Sequence, residues 1–348
     1  MKVKKKNYDF YLQRKKFHTT KYSQKIMKKI IIIFLISIFH FSFSQSIIPP
    51  QNLKSSNLYG NIKSVLEKTV MKYSDGSQTD INRTFYEYNK SGNLISCKEI
   101  SNMSSKKYTL RLYIYDDAQN LIEQNTFKDS VLVTKIIHKY DLNNRIIQES
   151  IYNEKGNLSQ KKLFFYDTSG NNTGMEVWLS DTYLTRKETY EYDNNGNQTN
   201  LKVFNKNNIV INEYQNIYDE NNNKIEMIYK KLNDPIVETT KNTFNENKEY
   251  LHTLKYANDK LIDEVVYSYS RNGMNTETVM IFPFCKTKRI DRYDEKKSLV
   301  ETLFYRNDEL IDRQTYWYEH DEKGNWIKKY NSQNEESPNL IEREIEYY

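Results

Sequence analysis

The sequence predicts an all-β chain of tandem units about 26 residues long, a period that marks repeat architectures. The first observation is a stretch from Tyr190 to Asn197, Tyr-Glu-Tyr-Asp-Asn-Asn-Gly-Asn, that recurs in variants along the chain. Counted from the second aromatic, copies fall at Tyr88, Tyr115, Tyr140, Tyr166, Tyr192, Tyr218, Phe244, Tyr269, Tyr293 and His320. The second observation is a midway series, Phe127, Tyr152, Trp178, Phe204, Tyr229, Tyr256, Phe282 and Tyr305. Each unit is therefore two strands and two turns. The third is that no helical period occurs after residue 58.

Within a unit, two aromatics at i and i+2 share one face of an extended strand. The Asp, two polar residues and Gly that follow suit a three-residue hairpin turn closed by a left-handed residue. Asn144 and Asn222 stand where other copies have Gly, and Asn is the next least strained residue there. After the midway aromatics the turns read as two residues: Asp129-Ser130, Ser180-Asp181, Asn258-Asp259 and Asn307-Asp308. Glu154-Lys155-Gly156 departs from that alternation. This geometry sets Tyr192 against Gln198, Tyr88 against Leu94, Tyr115 against Leu121 and Tyr140 against Ile146. Extended one step, it sets Glu87 against Ile95 and Ile114 against Ile122. Cross-strand aromatic–aliphatic pairs contribute roughly 0.2–1 kcal/mol each.

The first 44 residues differ from the rest. Met27-Lys28-Lys29 opens a basic segment, residues 30–41 are apolar, and Ser42-Phe43-Ser44 offers small residues before Gln45, the pattern of a cleaved signal peptide. The apolar run is shorter than the ~20 residues a membrane span needs. The expected organisation is a non-native extension over 1–26, a signal peptide over 27–44 and an extended linker over 45–58. A YD-type β-repeat domain follows over 59–348, with a capping hairpin about 59–80, repeats about 81–330 and a terminal strand about 340–348. Localisation follows as exported, to periplasm, cell surface or medium.

Charge changes with that cleavage. Of 52 basic and 46 acidic residues, 11 and 1 lie in residues 1–44, leaving 41 and 45. The mature chain is mildly acidic, which excludes nucleic acid as an expected partner. The mean hydropathy of −0.87 is too polar for one thick core. Tyr outnumbers Phe 30 to 15, favouring half-wet aromatic positions. Stability is expected from unit-to-unit contacts, in a long curled antiparallel strip, with a β-propeller as the alternative.

The Tyr166-Asp167-Thr168-Ser169-Gly170-Asn171 and Tyr192-Asp193-Asn194-Asn195-Gly196-Asn197 cores resemble the YD repeats of Rhs-type proteins. The resemblance covers roughly residues 59–348 and extends to short exported relatives of Bacteroidetes type. It implies a β-strip, which in large family members spirals into a shell around a cargo toxin. No toxin module follows the repeats in this sequence.

Candidate chemistry is sparse. His138 and His320 are read as rings packed in aromatic positions, and His252 as isolated. No His pair has zinc spacing. Asp193-x-Asn195-x-Asn197 resembles the opening of a calcium loop but lacks its later ligands, so Asp193 is expected to bond its own turn. Cys97 and Cys285 are expected to be unpaired. The expectation is therefore no catalytic residue, metal or cofactor, and a non-enzymatic envelope scaffold or interaction surface. One alternative is a carbohydrate- or peptide-binding module, its partner an unidentified protein or glycan, using an aromatic ladder with Trp178, Tyr192, Trp317 and Trp326, or an edge strand that accepts an extended peptide. Another is a component related to Rhs toxin shells.

Overall fold

A computed structural model describes residues 52–72, 77–101, 107–270, 273–282, 285–332 and 339–348. The signal peptide, the upstream extension and most of the linker lie outside these residues, as does most of the Ser74–Ser77 turn. Every regular element is a strand. The first eight are β1 (Ile62–Lys72), β2 (Gln78–Tyr88), β3 (Leu94–Ser101), β4 (Tyr108–Tyr115), β5 (Leu121–Lys128), β6 (Val131–Tyr140), β7 (Ile146–Asn153) and β8 (Leu158–Tyr166). Next come β9 (Asn172–Leu179), β10 (Tyr183–Tyr192), β11 (Gln198–Phe204), β12 (Val210–Tyr218), β13 (Lys224–Lys231), β14 (Val237–Phe244) and β15 (Tyr250–Ala257). The series ends with β16 (Lys260–Tyr269), β17 (Asn275–Phe282), β18 (Cys285–Tyr293), β19 (Leu299–Arg306), β20 (Glu309–His320), β21 (Trp326–Ser332) and β22 (Asn339–Tyr347).

Each strand pairs antiparallel with the next in sequence, and β22 pairs back onto β1 from Ile62↔Tyr347 to Val70↔Leu340. The long curled antiparallel sheet expected from the sequence is thus observed, and it curls until its two ends meet as a closed ring. A propeller is excluded, because all 22 strands belong to one sheet. The closing register follows from charge and pattern. On β22, Arg343 meets Glu67 on one face, while Glu344 and Glu346 meet Lys68 and Lys63 of β1. Closure leaves no unpaired edge, the feature that makes open sheets associate. Cys97 and Cys285 are both free, seven strands apart the short way round.

All ten counted aromatics end a strand, from Tyr88 on β2 to His320 on β20. The expected first pairs hold: Tyr88↔Leu94, Tyr115↔Leu121, Tyr140↔Ile146 and Tyr192↔Gln198. One step further in, a bulge intervenes, and Glu87 faces Ser96 and Ile114 faces Glu123. Ile95 and Ile122 are the extra residues that the bulge leaves unopposed. The turn's last residue is left-handed in every copy: Gly92, Gln119, Asn144, Gly170, Gly196, Asn222, Lys248, Gly273, Lys297 and Gly324. Gln119, Lys248 and Lys297 hold φ of 63–65° there without being Gly or Asn. At the opposite rim, Asp129-Ser130, Asn258-Asp259 and Asn307-Asp308 are two-residue turns with both residues left-handed. Ser180 instead opens a three-residue turn, since Leu179 pairs with Tyr183.

The face bearing the terminal aromatics also holds Val177, Val203, Val265, Glu149 and Glu188, all buried, and is the inner face. The joints between hairpins use side chains. The ladder between β5 and β6 stops at Glu123↔Ile137, so the Leu121 carbonyl lacks a backbone donor from β6. The Tyr140 hydroxyl donates to it at 2.7 Å. Likewise Tyr115 donates to Leu94, Tyr166 to Ile146, Tyr192 to Asn172 and Tyr218 to Gln198, each on the preceding strand. Phe244 has no hydroxyl, and there Asn242 Nδ2 donates to Lys224 instead. Before His320, the Tyr318 hydroxyl reaches Leu299. On the opposite rim, Asp129, Asn258 and Asn307 exchange backbone and side-chain bonds with Tyr108, Val237 and Lys286.

Removing one such hydroxyl should cost about 0.5–1.5 kcal/mol, the net worth of an intramolecular hydrogen bond. Tyr192→Phe is therefore expected to lower the urea midpoint modestly, and Asn242→Ala to do so at the Phe244 joint. A midpoint unchanged in both variants would remove these bonds from the account of stability.

Candidate functional site

The structure divides the four ladder residues between two faces. Tyr192 and Trp326 face inward, Tyr192 bonded to Asn172 and Trp326 beneath the Arg343 guanidinium, 3.4 Å from the ring centroid. Trp178 and Trp317 face outward, because each is an odd number of residues from an inner position on its strand. Trp178 donates from Nε1 to Glu176 at 3.2 Å. Trp317 is 43% exposed and stacks on Tyr330, ring centroids 4.8 Å apart and planes 7° apart. Tyr330 in turn donates to Glu319, which also takes Lys328. A single continuous ladder through all four residues is thus absent; of the four, Trp317 is the exposed one, stacked on Tyr330.

The inner wall carries polar clusters that the repeat pattern hides. His138 lies two residues before the terminal Tyr140 and is buried, not stacked as an aromatic. Its Nδ1 is 3.1 Å from the Leu121 carbonyl and its Nε2 is 3.3 Å from Glu149 Oε2. Both partners are acceptors, a backbone carbonyl and a carboxylate oxygen. Lys162 reaches Glu149 Oε1 at 2.7 Å. A second cluster joins Arg186 to Glu188, whose other oxygen accepts from the Tyr190 hydroxyl at 2.5 Å. Burial, then the Glu188 charge, pushes the Tyr190 phenol well above its ordinary value. In a third, Asp291 takes Arg289 and the Thr302 hydroxyl.

These clusters tie the inner wall together. The first and third join adjacent strands, the second runs along β10 alone, and each charge has a partner, which is the condition for a buried charge to persist. His252 is half-buried on the outer face with Glu264 at 2.8 Å, so it is paired where the sequence reading left it isolated. The turn carboxylates behave as expected: Asp193 Oδ1 accepts from the Asn195 and Asn197 amides, and Oδ2 accepts from Asn197 Nδ2. The Asn197 side chain, then those amides, holds the Asp193 pKa below its ordinary value. No group of three metal-ligating side chains occurs among the described residues. No helix long and apolar enough to cross a membrane occurs among them either. The clusters of Glu149 and Asp291 could not be foreseen because their members come from different strands; the one signal was polar residues recurring two positions before the terminal aromatic.

No protein-family model matches the chain, and no curated protein matches it in sequence. Among solved structures it is similar to the chain titled "Crystal Structure of TcdB2-TccC3-Cdc42", at 12% identity and TM-score 0.40, over 85% of this chain and 19% of that one. A second is "Structure of Photorhabdus luminescens Tc holotoxin pore, Mutation TccC3-D651A", at 12% identity and TM-score 0.37, over 77% and 17%. A third is a porin-like protein from Bacteroides uniformis, at 10% identity and TM-score 0.29, over 82% and 96%. The chain spans about a fifth of the length of the two TccC3-containing chains. Similarity at this level identifies neither a family nor an activity.

The His138–Glu149–Lys162 cluster makes stability depend on pH. Burial alone would raise Glu149, but hydrogen bonds from His138 and Lys162 outweigh it and hold its pKa below the ordinary 4.5. A carboxylate depressed by folding stabilises the native state above its unfolded pKa and loses that contribution as pH falls through the folded value. The stability gap between the wild type and Glu149→Gln should be full above the ordinary carboxylate range and shrink as the pH falls through the lower, folded-state value. Denaturant curves across that range measure it; a gap independent of pH contradicts the assignment.

Proposed function

We propose that this chain is a non-enzymatic, exported repeat protein that serves as an envelope scaffold or protein-interaction surface. The observation carrying this reading is the commitment of the inner polar groups. Glu149, Glu188 and Asp291 are each tied to partners on their own or adjacent strands, whereas unspent aromatic and aliphatic side chains lie outside. Phe85, Ile114, Phe165, Ile217 and Trp317 are exposed on the outer face. Ring closure removes the edge strand that peptide addition needs, so that route to an extended peptide is withdrawn.

The reading keeps the ring in water. Ion pairs occur mid-strand on both faces, Lys135–Glu123 and Lys202–Glu213 outside, Lys255–Asp263 and Lys162–Glu149 inside. A lipid-facing barrel wall carries an apolar band at those heights. Export rests on the Met27–Ser44 pattern, and relation to Rhs-type shells rests on the Tyr-Asp-x-x-Gly-Asn motif alone. A second reading, glycan binding, is favoured by one feature: the exposed Trp317 ring backed by Tyr330, a flat surface on which a sugar ring can stack.

Photo-crosslinking side chains placed at Phe165 and Trp317, with inward Tyr192 as control, test the first reading in the intact envelope. Discrete adducts from the outer positions alone are expected; adducts no more frequent than at Tyr192 would sink it. For the glycan reading, tryptophan fluorescence is followed against soluble glycans in the wild type and Trp317→Ala. Quenching that the variant loses supports stacking, and no response or an equal one in both counts against it.

A further inference from the structure

The ring has one joint unlike the rest. Everywhere else neighbouring strands are joined by at most six residues of chain, but β22 and β1 stand at opposite ends of the strand series and meet only through non-covalent contacts. Closing that joint carries the entropy of holding the two ends of the ring together, and contacts concentrate there. Residues 52–60 form a strap across it. At one end, Asn52 bridges Asn93, and the Leu53 amide donates to the Gly92 carbonyl in the turn between β2 and β3. At the other end, the Tyr59 amide donates to Asn325 Oδ1 at 2.7 Å, and Asn325 Nδ2 donates to the Tyr59 carbonyl at 2.8 Å. Asn325, in the turn between β20 and β21, is fully buried and also donates to the Tyr347 hydroxyl. The strap thus holds the turn on each side of the β22–β1 joint.

Beneath it lies an apolar cluster. Leu58 is buried with Ile62, Val65, Tyr88, Leu94 and Cys97, and Leu53 packs against the same group. A cavity of about 240 Å³, bordered by Leu53, Asn61, Asn89 and Tyr348, remains between strap and wall. Residues 52–58, the end of the segment read as an extended linker, pack against the ring through Leu53 and Leu58.

We propose that residues 52–60 are a clasp for the ring. With the strap seated, β1 and β22 stay paired and Cys97 is covered; with the strap lifted, the ring opens at this joint before any other and the Cys97 thiol is exposed. This goes beyond the scaffold reading and does not rest on it.

The test uses the full chain with Cys285→Ser, leaving Cys97 as the native thiol, and reads its alkylation by mass spectrometry. Asn325→Ala, which removes the bonds to Tyr59, is expected to speed Cys97 alkylation at least about tenfold, the factor that 1.4 kcal/mol represents. Amide exchange should accelerate in β1 and β22 but not in β10–β12. Conversely, Leu53→Cys with Gly92→Cys should lock the strap. A Cβ at Gly92 falls 3.8 Å from Leu53 Cβ, within disulfide range, and Lys and Gln occupy the same left-handed turn position elsewhere. The oxidised cross-link is expected to slow Cys97 alkylation, whether or not Asn325→Ala folds. Unchanged alkylation in the locked chain, or exchange quickened equally in β10–β12, overturns the proposal.

Discussion

The structure depends on a carbonyl that the sheet cannot satisfy by itself. After each aromatic-rim turn, a bulge interrupts the hairpin, and the backbone ladder from the returning strand to the next hairpin ends before that strand's first residue. An unpaired buried backbone group costs about 1–3 kcal/mol, more than a made bond returns, so the vacancy has to be filled. At five joints the tyrosine hydroxyl ending the next strand fills it, from Tyr115, Tyr140, Tyr166, Tyr192 and Tyr218. Where the ring at that position has no hydroxyl, Asn242 or Tyr318 does so from two residues earlier. What recurs is a donor at a place in space, and the aromatic is its commonest carrier.

This arrangement explains how so polar a chain holds together. The inner face has no thick apolar core; Val177, Val203 and Val265 alternate with charge clusters in which acid, base and hydroxyl satisfy one another. Tyrosine suits the wall because its ring packs while its tip bonds, and burial raises several of these phenols, Tyr140 and Tyr318 to about 12. At physiological pH they remain protonated donors. Closure completes the logic, since an open end would expose both an unpaired strand and inner charges to water.

Much of the local plan was legible in particular residues. The positions of Tyr88 through His320 located ten strand ends, and Asp-x-x-Gly-Asn located the turn and its first pair. The bulge was not legible, because Ile95 and Ile122 look like ordinary strand residues; only the hydrogen-bond pattern shows them unopposed. Gln119, Lys248 and Lys297 hold a backbone conformation their side chains do not advertise, imposed by turns whose partners are already fixed. His138 was read as one more ring in the aromatic series, since Glu149 and Lys162 reach it only through two strand pairings.

By itself the sequence determined the all-β class, the period, the turn chemistry and which aromatics end strands, because each follows from neighbours within a few residues. Only the tertiary structure decided that the sheet closes, which face each tryptophan takes, and that residues 52–60 lie across the joint. Those outcomes rest on contacts between residues far apart in the chain, such as Lys63 with Glu346, 283 positions away. A local pattern holds no information about which distant strand will complete its hydrogen bonds.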